Sequence, residues 1–323
     1  MQFKIGFDSS DIKKIHEAFD LIISSQQWSE GSYTTEFERK WSDHVGRQSV
    51  AFSSWSGAVL AALEYFNVKG KTVLCPSNTF MATPLSVIKA GGNVEFVDCN
   101  KDDLCISYDD LKNKIDIYNP FAVWLVHIGG HIAFETEKIV KLCKDKRIIL
   151  LEDSAHAHGA SWHGKRAGSW GDAGFYSFYA TKTISTGEGG TLVTDNSDLV
   201  AFAKQYRNYG KFDYQVEGLN YRMSEFTAAL GCVQTDRLEE IVAWKNEYVQ
   251  QYLDNIYPNR VKFPDQMISG YYKYIVFDPI EKSTGKVYDK PCHKIMKMEC
   301  DLPNTDWVAE NHWCVPLYYR GDE

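Results

Sequence analysis

Two spacings of hydrophobic residues alternate along the chain, and this alternation predicts the fold class. Short apolar runs, typical of buried strands, are separated by segments whose apolar residues recur every three or four positions, as on one face of a helix. The predicted strands are residues 50–53, 72–75, 94–97, 122–127, 148–151, 174–178 and 190–194. Strands that alternate with helices form βαβ units. We therefore expect an α/β protein with a mostly parallel central sheet sandwiched by helices.

The helical segments suggest how the chain divides into domains. Helices are predicted at residues 12–22, 34–44, 56–65, 80–89, 136–144 and 224–255. The last pattern is long enough for one bent helix or two, and such a segment suits a link between domains. We predict a large domain at 1–240 with an N-terminal helical segment, and a small α+β domain at 241–323. A strand of the small domain is predicted at 271–277.

Two predicted strands are followed by side chains that could take part in catalysis. The strand at 148–151 runs into Glu152 and Asp153, which places Asp153 at the carboxyl edge of the sheet, where ligands of open α/β sheets bind. Lys182 follows the aromatic segment 174–179, and an apolar setting disfavours the charged ammonium form of a lysine. An amine and an acid so placed are what a pyridoxal phosphate site requires. Lys182 would form the Schiff base, and Asp153 would partner the pyridinium nitrogen.

Each of these residues also has a plainer interpretation. A lysine after a strand is commonly a solvated charge, and an aspartate is a favoured helix N-cap. The segment Ser54-Trp55-Ser56-Gly57 lies between a strand and a helix start. Its amides and hydroxyls suit a phosphate, although Ser54 could be an ordinary N-cap. The hypothesis of a cofactor site gains its weight from the joint occurrence of these segments.

These segments together resemble the DegT/DnrJ/EryC1/StrS family of nucleotide-sugar aminotransferases, which have the aspartate aminotransferase fold (fold type I). The matching segments, in the family's order, are 54–58, 76–83, 126–130, 152–160, 171–174, 177–178, 182, 186–190, 207–210 and 220–225. The resemblance extends over roughly residues 10–255. Beyond it the match is loose, mainly at 312–317, and the small domain is expected to be shorter than usual for the family.

The resemblance implies a cofactor, pyridoxal 5′-phosphate, with pyridoxamine 5′-phosphate as an intermediate form. Lys182 and Asp153 would be catalytic. The implied cofactor-binding residues are Lys182, Asp153, His156, Ser177, Ser56, Trp55, Phe80, Arg222 and Asn220. Trp55 departs from the family, which commonly has a small or polar residue there. Gly31, in a turn that resembles one near the sugar substrate, and His293 are further candidates for substrate binding.

The implied activity is conversion of a keto group on a nucleotide-linked deoxysugar to an amine, with L-glutamate as donor, in aminosugar and polysaccharide biosynthesis. Asn220 and Arg222 match a loop that reaches the partner's cofactor, so a homodimer with shared active sites is expected. Relatives that act as sugar dehydratases carry histidine in place of Lys182, which favours transamination here. The nucleotide, the sugar and the choice between C3 and C4 stay open.

Three alternatives remain at this level. One is a dehydratase or another lyase of the same fold, and another is a non-catalytic protein that binds the cofactor. The third, a metal-dependent hydrolase, would use Asp153, His156, His158 and His163, since His-x-His beside a carboxylate can ligate zinc. That hypothesis explains neither Lys182 nor the serine-rich helix start, and no metal is expected.

Composition narrows the class of protein further. The 323 residues carry a net charge of −8, which argues against general binding to nucleic acid. Eight scattered cysteines without a CxxC pair indicate free thiols in a reducing compartment. Residues 1–8 lack the apolar core of a signal peptide, and the longest clean apolar run, 121–126, is too short to span a bilayer. A cytoplasmic protein without a membrane segment is expected.

Overall fold

A computed structural model describes residues 5–320 of the chain. The prediction about a signal peptide rests partly on residues 1–4, which lie outside this range. The strands are β1 (Gln48–Phe52), β2 (Thr72–Pro76), β3 (Asn93–Val97), β4 (Ala122–Val126), β5 (Ile149–Asp153), β6 (Ser161–Trp162), β7 (Lys165–Arg166), β8 (Ala173–Ser177), β9 (Gly190–Thr194), β10 (Tyr274–Val276) and β11 (Trp313–Val315). The helices are α1 (Ser9–Ser25), α2 (Ser32–Val45), α3 (Trp55–Tyr65), α4 (Ala82–Lys89), α5 (Tyr108–Tyr118), α6 (Thr136–Lys146), α7 (Ser197–Tyr206), α8 (Glu225–Tyr248), α9 (Asp254–Ile256), α10 (Cys292–Met296) and α11 (Pro303–Glu310).

Seven strands form the central sheet, in the order β1-β9-β8-β5-β4-β2-β3. The pairs β2–β3, β2–β4, β4–β5 and β5–β8 are parallel, while β8–β9 and β9–β1 are antiparallel. The predicted α/β class with a mostly parallel sheet is thus confirmed. Because β4, β5 and β8 are parallel neighbours, their carboxyl ends meet at one edge. There Asp153 pairs with Val126 on one side and Phe175 on the other.

The sheet is buried on both faces, which explains the continuous apolar runs in the sequence. All five residues of β4, β8 and β9 are buried. Large side chains such as Trp124, Phe52 and Phe175 are fully enclosed. The main hydrophobic cluster also includes Ile275 and Val308 from the C-terminal part of the chain. The segment after α8 is therefore packed onto the same core as the sheet.

The long predicted helix at 224–255 is one continuous helical run. Ser224 caps α8 by accepting a hydrogen bond from the Thr227 amide, and the helix passes through a π-helical turn at Val249–Leu253 into α9. The domain boundary predicted at residue 240 falls inside α8. The division into 1–240 and 241–323 stays a prediction. Among residues 5–320, no helix has the length and apolarity needed to cross a bilayer.

Some elements differ from the sequence prediction. The helix predicted at 80–89 begins at Ala82, so Phe80 lies in the turn before it, and the strand predicted at 271–277 is limited to β10. The prediction missed four helices and three short strands: α5, α7, α10, α11, β6, β7 and β11. Helix α5 buries only Leu111 and Ile115, so its apolar period is too weak to be recognised from the sequence. Strand β11 has three residues and pairs only with β10.

Candidate active site

A cavity of about 730 Å³ opens at the carboxyl edge of the sheet, beside β5 and β8. Its wall contains seven of the residues singled out in the sequence: Trp55, Ser56, Phe80, Asp153, His156, Ser177 and Lys182. They come from five separate segments of the chain. Their convergence follows from the parallel arrangement of the strands, whose carboxyl ends carry the connecting loops to one edge.

Asp153, the last residue of β5, is buried at the cavity wall. One carboxylate oxygen accepts the Ala155 amide at 3.1 Å, and the other accepts the Thr83 hydroxyl at 3.1 Å. Burial raises the pKa of Asp153, an effect that these two hydrogen bonds and the nearby Lys182 oppose. The carboxylate is therefore oriented by two fixed donors and lies near the amine of Lys182.

The neighbouring Glu152 points to the opposite face of β5 and holds the strand end in place. Its carboxylate accepts the amides of Gly168, Trp170 and Gly171 at 2.7–3.0 Å. It also contacts Nε2 of His127 at 2.9 Å, with both side chains fully buried. Alternation along the strand thus gives the two adjacent acids different tasks. Glu152 fixes the backbone, and Asp153 faces the cavity.

Lys182 lies in the connection between β8 and β9, and its backbone amide donates to the carbonyl of Tyr179 at 2.9 Å. The Nζ atom lies 4.8 Å from the centre of the Tyr272 ring. Burial of the amine lowers the pKa of Lys182 to about 8; the attraction of Asp153 opposes this shift, and the charge of Lys273 adds to it. A sizeable fraction of the amine is consequently neutral near physiological pH, as the apolar sequence context predicts.

The start of helix α3 forms a polar end of the cavity. Ser54 is its N-cap and accepts the Gly57 amide at 3.3 Å, and Ser56 lines the cavity one residue into the helix. Ser177, at the end of β8, faces the same space. A helix N-terminus with adjacent hydroxyls favours an anion. The indole of Trp55 packs against Trp124 and Phe175, with ring centroids 5.9 and 6.5 Å away, so the core accommodates this departure from the family.

One glycine of the glycine-rich segment after Lys182, Gly190, is required for steric reasons. A Cβ atom added at Gly190 would lie 2.4 Å from the backbone nitrogen of Trp55. Gly190 therefore lets β9 approach the start of α3 closely, and any larger residue would displace the helix start that lines the cavity.

His156 forms an aromatic stack inside the cavity. Its ring lies 4.2 Å from the Tyr272 ring and 5.9 Å from the Tyr288 ring, and Nε2 lies 3.4 Å from the Tyr288 hydroxyl. Burial lowers the pKa of His156 well below its ordinary value, so the ring is neutral at pH 7. Its Nδ1 atom is buried without a hydrogen-bond partner among the described residues. Such an unsatisfied atom is costly unless a ligand serves it.

The sequence analysis assigned no role to three residues at the site. Tyr272 and Tyr288 line the cavity and come from the segment after α8. Thr83, on α4, is buried behind the wall and donates to Asp153. The threonine sits four residues after Thr79 at a helix start, and the tyrosines are two among nineteen in the chain. No local pattern separates these residues from packing residues, because their place at the site depends on tertiary contacts.

Phe80 marks the mouth of the cavity. It lines the wall, yet 64% of its surface is exposed, so it is not a core residue at a helix start. A flat ring at this position can cover one side of a bound aromatic ligand. Its assignment to ring stacking stays a prediction.

Four other candidates lie outside this cavity. Gly31 caps α2, and its amide donates to Glu225 at 3.0 Å. His293 is fully buried, with Nδ1 2.7 Å from the Ser77 hydroxyl. Arg222 donates to the Asn208 side chain at 2.5 Å, and the exposed Asn220 accepts the Arg222 amide at 3.3 Å. Within one chain, none of these four lines the cavity wall. Their proposed roles are untested.

The residues of the metal-hydrolase alternative do not form a metal site. His158 is fully buried against Trp41, Tyr176 and Phe178. In residues 5–320, the one group of side chains spaced to hold a metal ion is Asp103, Cys105 and His131. That group shares no residue with the proposed hydrolase site, and Nε2 of His131 already contacts the Asp103 carbonyl at 3.0 Å.

The donor set of the main cavity fits pyridoxal phosphate. The amine of Lys182 can bind an aldehyde, the carboxylate of Asp153 can partner a protonated ring nitrogen, and the start of α3 can hold a phosphate. His156 contributes a neutral ring with an unsatisfied nitrogen. These groups match the cofactor in charge and type.

Comparison with known proteins agrees with this class. The chain has the fold of the pyridoxal-phosphate-dependent aminotransferases. A DegT DnrJ EryC1 StrS aminotransferase from Brucella abortus superimposes with a TM-score of 0.91 at 21% identity, over 98% of this chain and 93% of that one. The profile of the DegT/DnrJ/EryC1/StrS aminotransferase family matches residues 9–277. The chain belongs to this family.

Relatives similar in sequence include two enzymes of nucleotide-linked sugars. The GDP-perosamine synthase of Escherichia coli O157:H7 is 31% identical over 235 residues, which cover 71% of this chain and 64% of that protein. The chain thus spans less than two thirds of that relative. The UDP-4-amino-4,6-dideoxy-N-acetyl-beta-L-altrosamine transaminase of Campylobacter jejuni is 30% identical over 286 residues, covering 83% of this chain and 74% of the relative.

Proposed function

We propose that this protein is a pyridoxal-phosphate-dependent aminotransferase that converts the keto group of a nucleotide-linked deoxysugar to an amine, with L-glutamate as amino donor. The observation that carries the proposal is the meeting of Lys182 and Asp153 in one cavity, with a polar helix start beside them. The names of the two relatives, both enzymes of nucleotide-linked aminosugars, support the substrate class.

Several residues would hold the cofactor. Ser56, Ser177 and the amides at the start of α3 suit its phosphate, Asp153 its ring nitrogen, and Phe80 and His156 its ring. When bound, pyridoxal phosphate supplies an aldehyde for the donor's amine and a ring that accepts electrons from the carbon losing a proton.

Lys182 has two tasks in this proposal. Its neutral Nζ would hold the cofactor's aldehyde, and the same atom, when free, would carry a proton to and from the reacting carbon. The lowered pKa of Lys182, about 8, suits both tasks, since the amine is neither fully protonated nor strongly basic near pH 7. The Ala155 and Thr83 hydrogen bonds favour the ionised form of Asp153, which would hold a proton on the ring nitrogen.

The position of Arg222 supports a homodimer with shared sites. Arg222 and Asn220 lie outside their own chain's cavity, as residues donated to a partner would. Large apolar side chains nearby are exposed, including Phe212 at 89% and Leu219 at 58%. Exposed apolar surface of this kind is typical of an interface between subunits. We place the reaction in the cytoplasm, in keeping with eight free thiols.

A substrate panel tests the activity. The purified protein, loaded with pyridoxal phosphate, is incubated with glutamate and a set of UDP-, GDP- and dTDP-linked keto-deoxysugars. We expect an aminosugar nucleotide and 2-oxoglutarate in equal amounts by mass spectrometry. A product that has lost water and gained no nitrogen would instead identify a dehydratase. A protein that binds the cofactor and forms neither product would be the non-catalytic alternative.

A further inference from the structure

A second cavity, of about 420 Å³, adjoins the first and has an unusual concentration of lysines. It is lined by Lys182, Lys245, Lys273 and Lys286, and it shares Lys182 and Tyr272 with the main cavity. Among the described residues of its wall, Asp289 is the one carboxylate. Four lysines and a single acid line this wall, so basic groups outnumber acidic ones there in a chain whose net charge is −8.

The Nζ atoms of these lysines differ in their hydrogen bonds and ring contacts. Nζ of Lys286 donates to the carbonyls of Glu310 and His312 at 2.8 and 2.7 Å, so its charge is directed away from the cavity. Nζ of Lys245 is buried and makes one hydrogen bond, to the Tyr271 carbonyl at 2.8 Å. Nζ of Lys273 lies 5.2 Å from the centre of the Tyr272 ring, on which Lys182 also lies. Lys245 and Lys273 therefore retain donors for a ligand.

Burial, and to a smaller extent repulsion between the amines, disfavours the charged form of these lysines. Burial and the charge of Lys273 together lower the pKa of Lys245 to about 7. Lys273 also lowers the pKa of Lys182. Burying several cations without counterions is unfavourable, and an anionic ligand would relieve the cost.

We infer that this second cavity binds the carboxylate groups of the amino donor through Lys273 and Lys245. The inference rests on the proposed function, for which it specifies a dicarboxylic amino acid. The amine of such a donor must reach the position of Lys182, and its α-carboxylate is only two bonds from that amine. The second cavity opens at Lys182 and is too small for a whole nucleotide sugar, whereas it suits a small amino acid.

Binding of a non-reactive dicarboxylate tests the inference without relying on turnover. Glutarate is titrated by calorimetry into the cofactor-loaded wild type, Lys273→Gln and Lys245→Met. Loss of one charged hydrogen bond should weaken glutarate binding about 10- to 100-fold. UDP, GDP or dTDP, whichever the wild type binds, should bind each variant as it binds the wild type. Lys262→Met, at an exposed position outside the cavity, is the control for total charge.

Steady-state kinetics provide the second measurement. The KM for glutamate should rise by a similar factor in Lys273→Gln, while the KM for the keto sugar stays within twofold. Unchanged glutarate binding in Lys273→Gln would overturn the inference. If the variant instead loses nucleotide binding while glutarate binding is unchanged, the second cavity is a diphosphate site. If no keto sugar is aminated but glutarate binding still depends on Lys273, the proposed function fails and the carboxylate site stands. If Lys245→Met fails to fold, the Lys273→Gln variant still tests the inference.

Discussion

The ring of Tyr272 stacks on the ring of His156, with centroids 4.2 Å apart and planes 29° apart. The histidine follows β5, and the tyrosine lies two residues before β10. One contact thus joins the sheet edge to the segment after α8 across the cavity. The same tyrosine lies against the amine of Lys182. We infer that Tyr272 sets the distance between the catalytic edge and the C-terminal part of the wall.

Replacing Tyr272 should therefore impair the site without unfolding the protein. An aromatic pair contributes about 0.5–1.5 kcal/mol beyond area burial, so Tyr272→Leu should lower kcat/KM roughly 3- to 10-fold. Tyr272→Phe is the matched control, because it keeps the stack and removes only the hydroxyl, 3.2 Å from Thr181. The two variants are compared by kinetics and thermal unfolding. Equal losses in both would show that the hydroxyl, and not the stack, is what matters.

Lys182→Ala should abolish transamination, because it removes the amine that acts on Asp153 across the main cavity. Activity should fall by at least about 100-fold, the lower end for a lost acid–base group. Borohydride reduction of the loaded wild type followed by peptide mass spectrometry should place a pyridoxyl group on Lys182. The thermal unfolding midpoint of the variant should not fall, since little packed volume is lost. A pyridoxyl group on another lysine would disprove the assignment.

The sequence was sufficient for the part of the site that depends on strand topology. Asp153 and Ser177 end buried parallel strands, and such strand ends meet at one sheet edge whatever the rest of the chain does. Lys182 and Ser56 follow from the same rule, since Lys182 lies in a connection at that edge and Ser56 in the first turn of the helix after β1. A local apolar pattern was thus enough to predict where these residues lie, while their roles stay predictions.

The rest of the site could not be predicted because its positions depend on tertiary packing. Tyr272 and Tyr288 are brought to the cavity by the chain after α8, where strands are three residues long and periodicity is weak. Lys245 lies on α8 and would be expected on a solvated helix face, yet it is buried. A charged residue on a helix carries no sign in its own sequence that another segment covers it.

Asp153→Asn should retain the fold and much of the cofactor affinity but lose most of the turnover. An amide cannot keep a ring nitrogen protonated, and removal of such a preorganised charge commonly costs about 100- to 1,000-fold in kcat. The loss should appear in kcat more than in KM. Thr83→Val, which removes one hydrogen bond from the same carboxylate, should cost roughly tenfold. An unchanged kcat in Asp153→Asn would reject the role.

The cofactor-free protein should show a pH-dependent stability to which Lys182 contributes. Its pKa falls from 10.5 to about 8 on folding, so between these values the unfolded chain binds more protons and the free energy of unfolding rises with pH. Below about pH 8 the amine is charged in both the folded and the unfolded chain, so the free energy of unfolding is reduced by the full cost of burying a charge. Lys182→Met should therefore stabilise the protein near pH 7, and the gain should shrink towards pH 10. Urea unfolding of both proteins at the two pH values measures this. A gain independent of pH would mean that the amine is not buried in its charged form.

Subunit mixing tests the shared active site. Inactive Lys182→Ala is combined with weakened Arg222→Ala under conditions of proven subunit exchange. If Arg222 acts in the partner's site, each mixed dimer has one doubly damaged site and one site intact in both residues. In an equal mixture half of the molecules are mixed dimers, so activity should reach about a quarter of the wild type, above either parent. If Arg222 acts within its own chain, each mixed dimer carries only a weakened site, and activity cannot exceed that of Arg222→Ala. If light scattering shows a monomer, the proposed dimer is wrong. Arg222 would then have no partner cavity to reach, and the shared active site would be wrong as well.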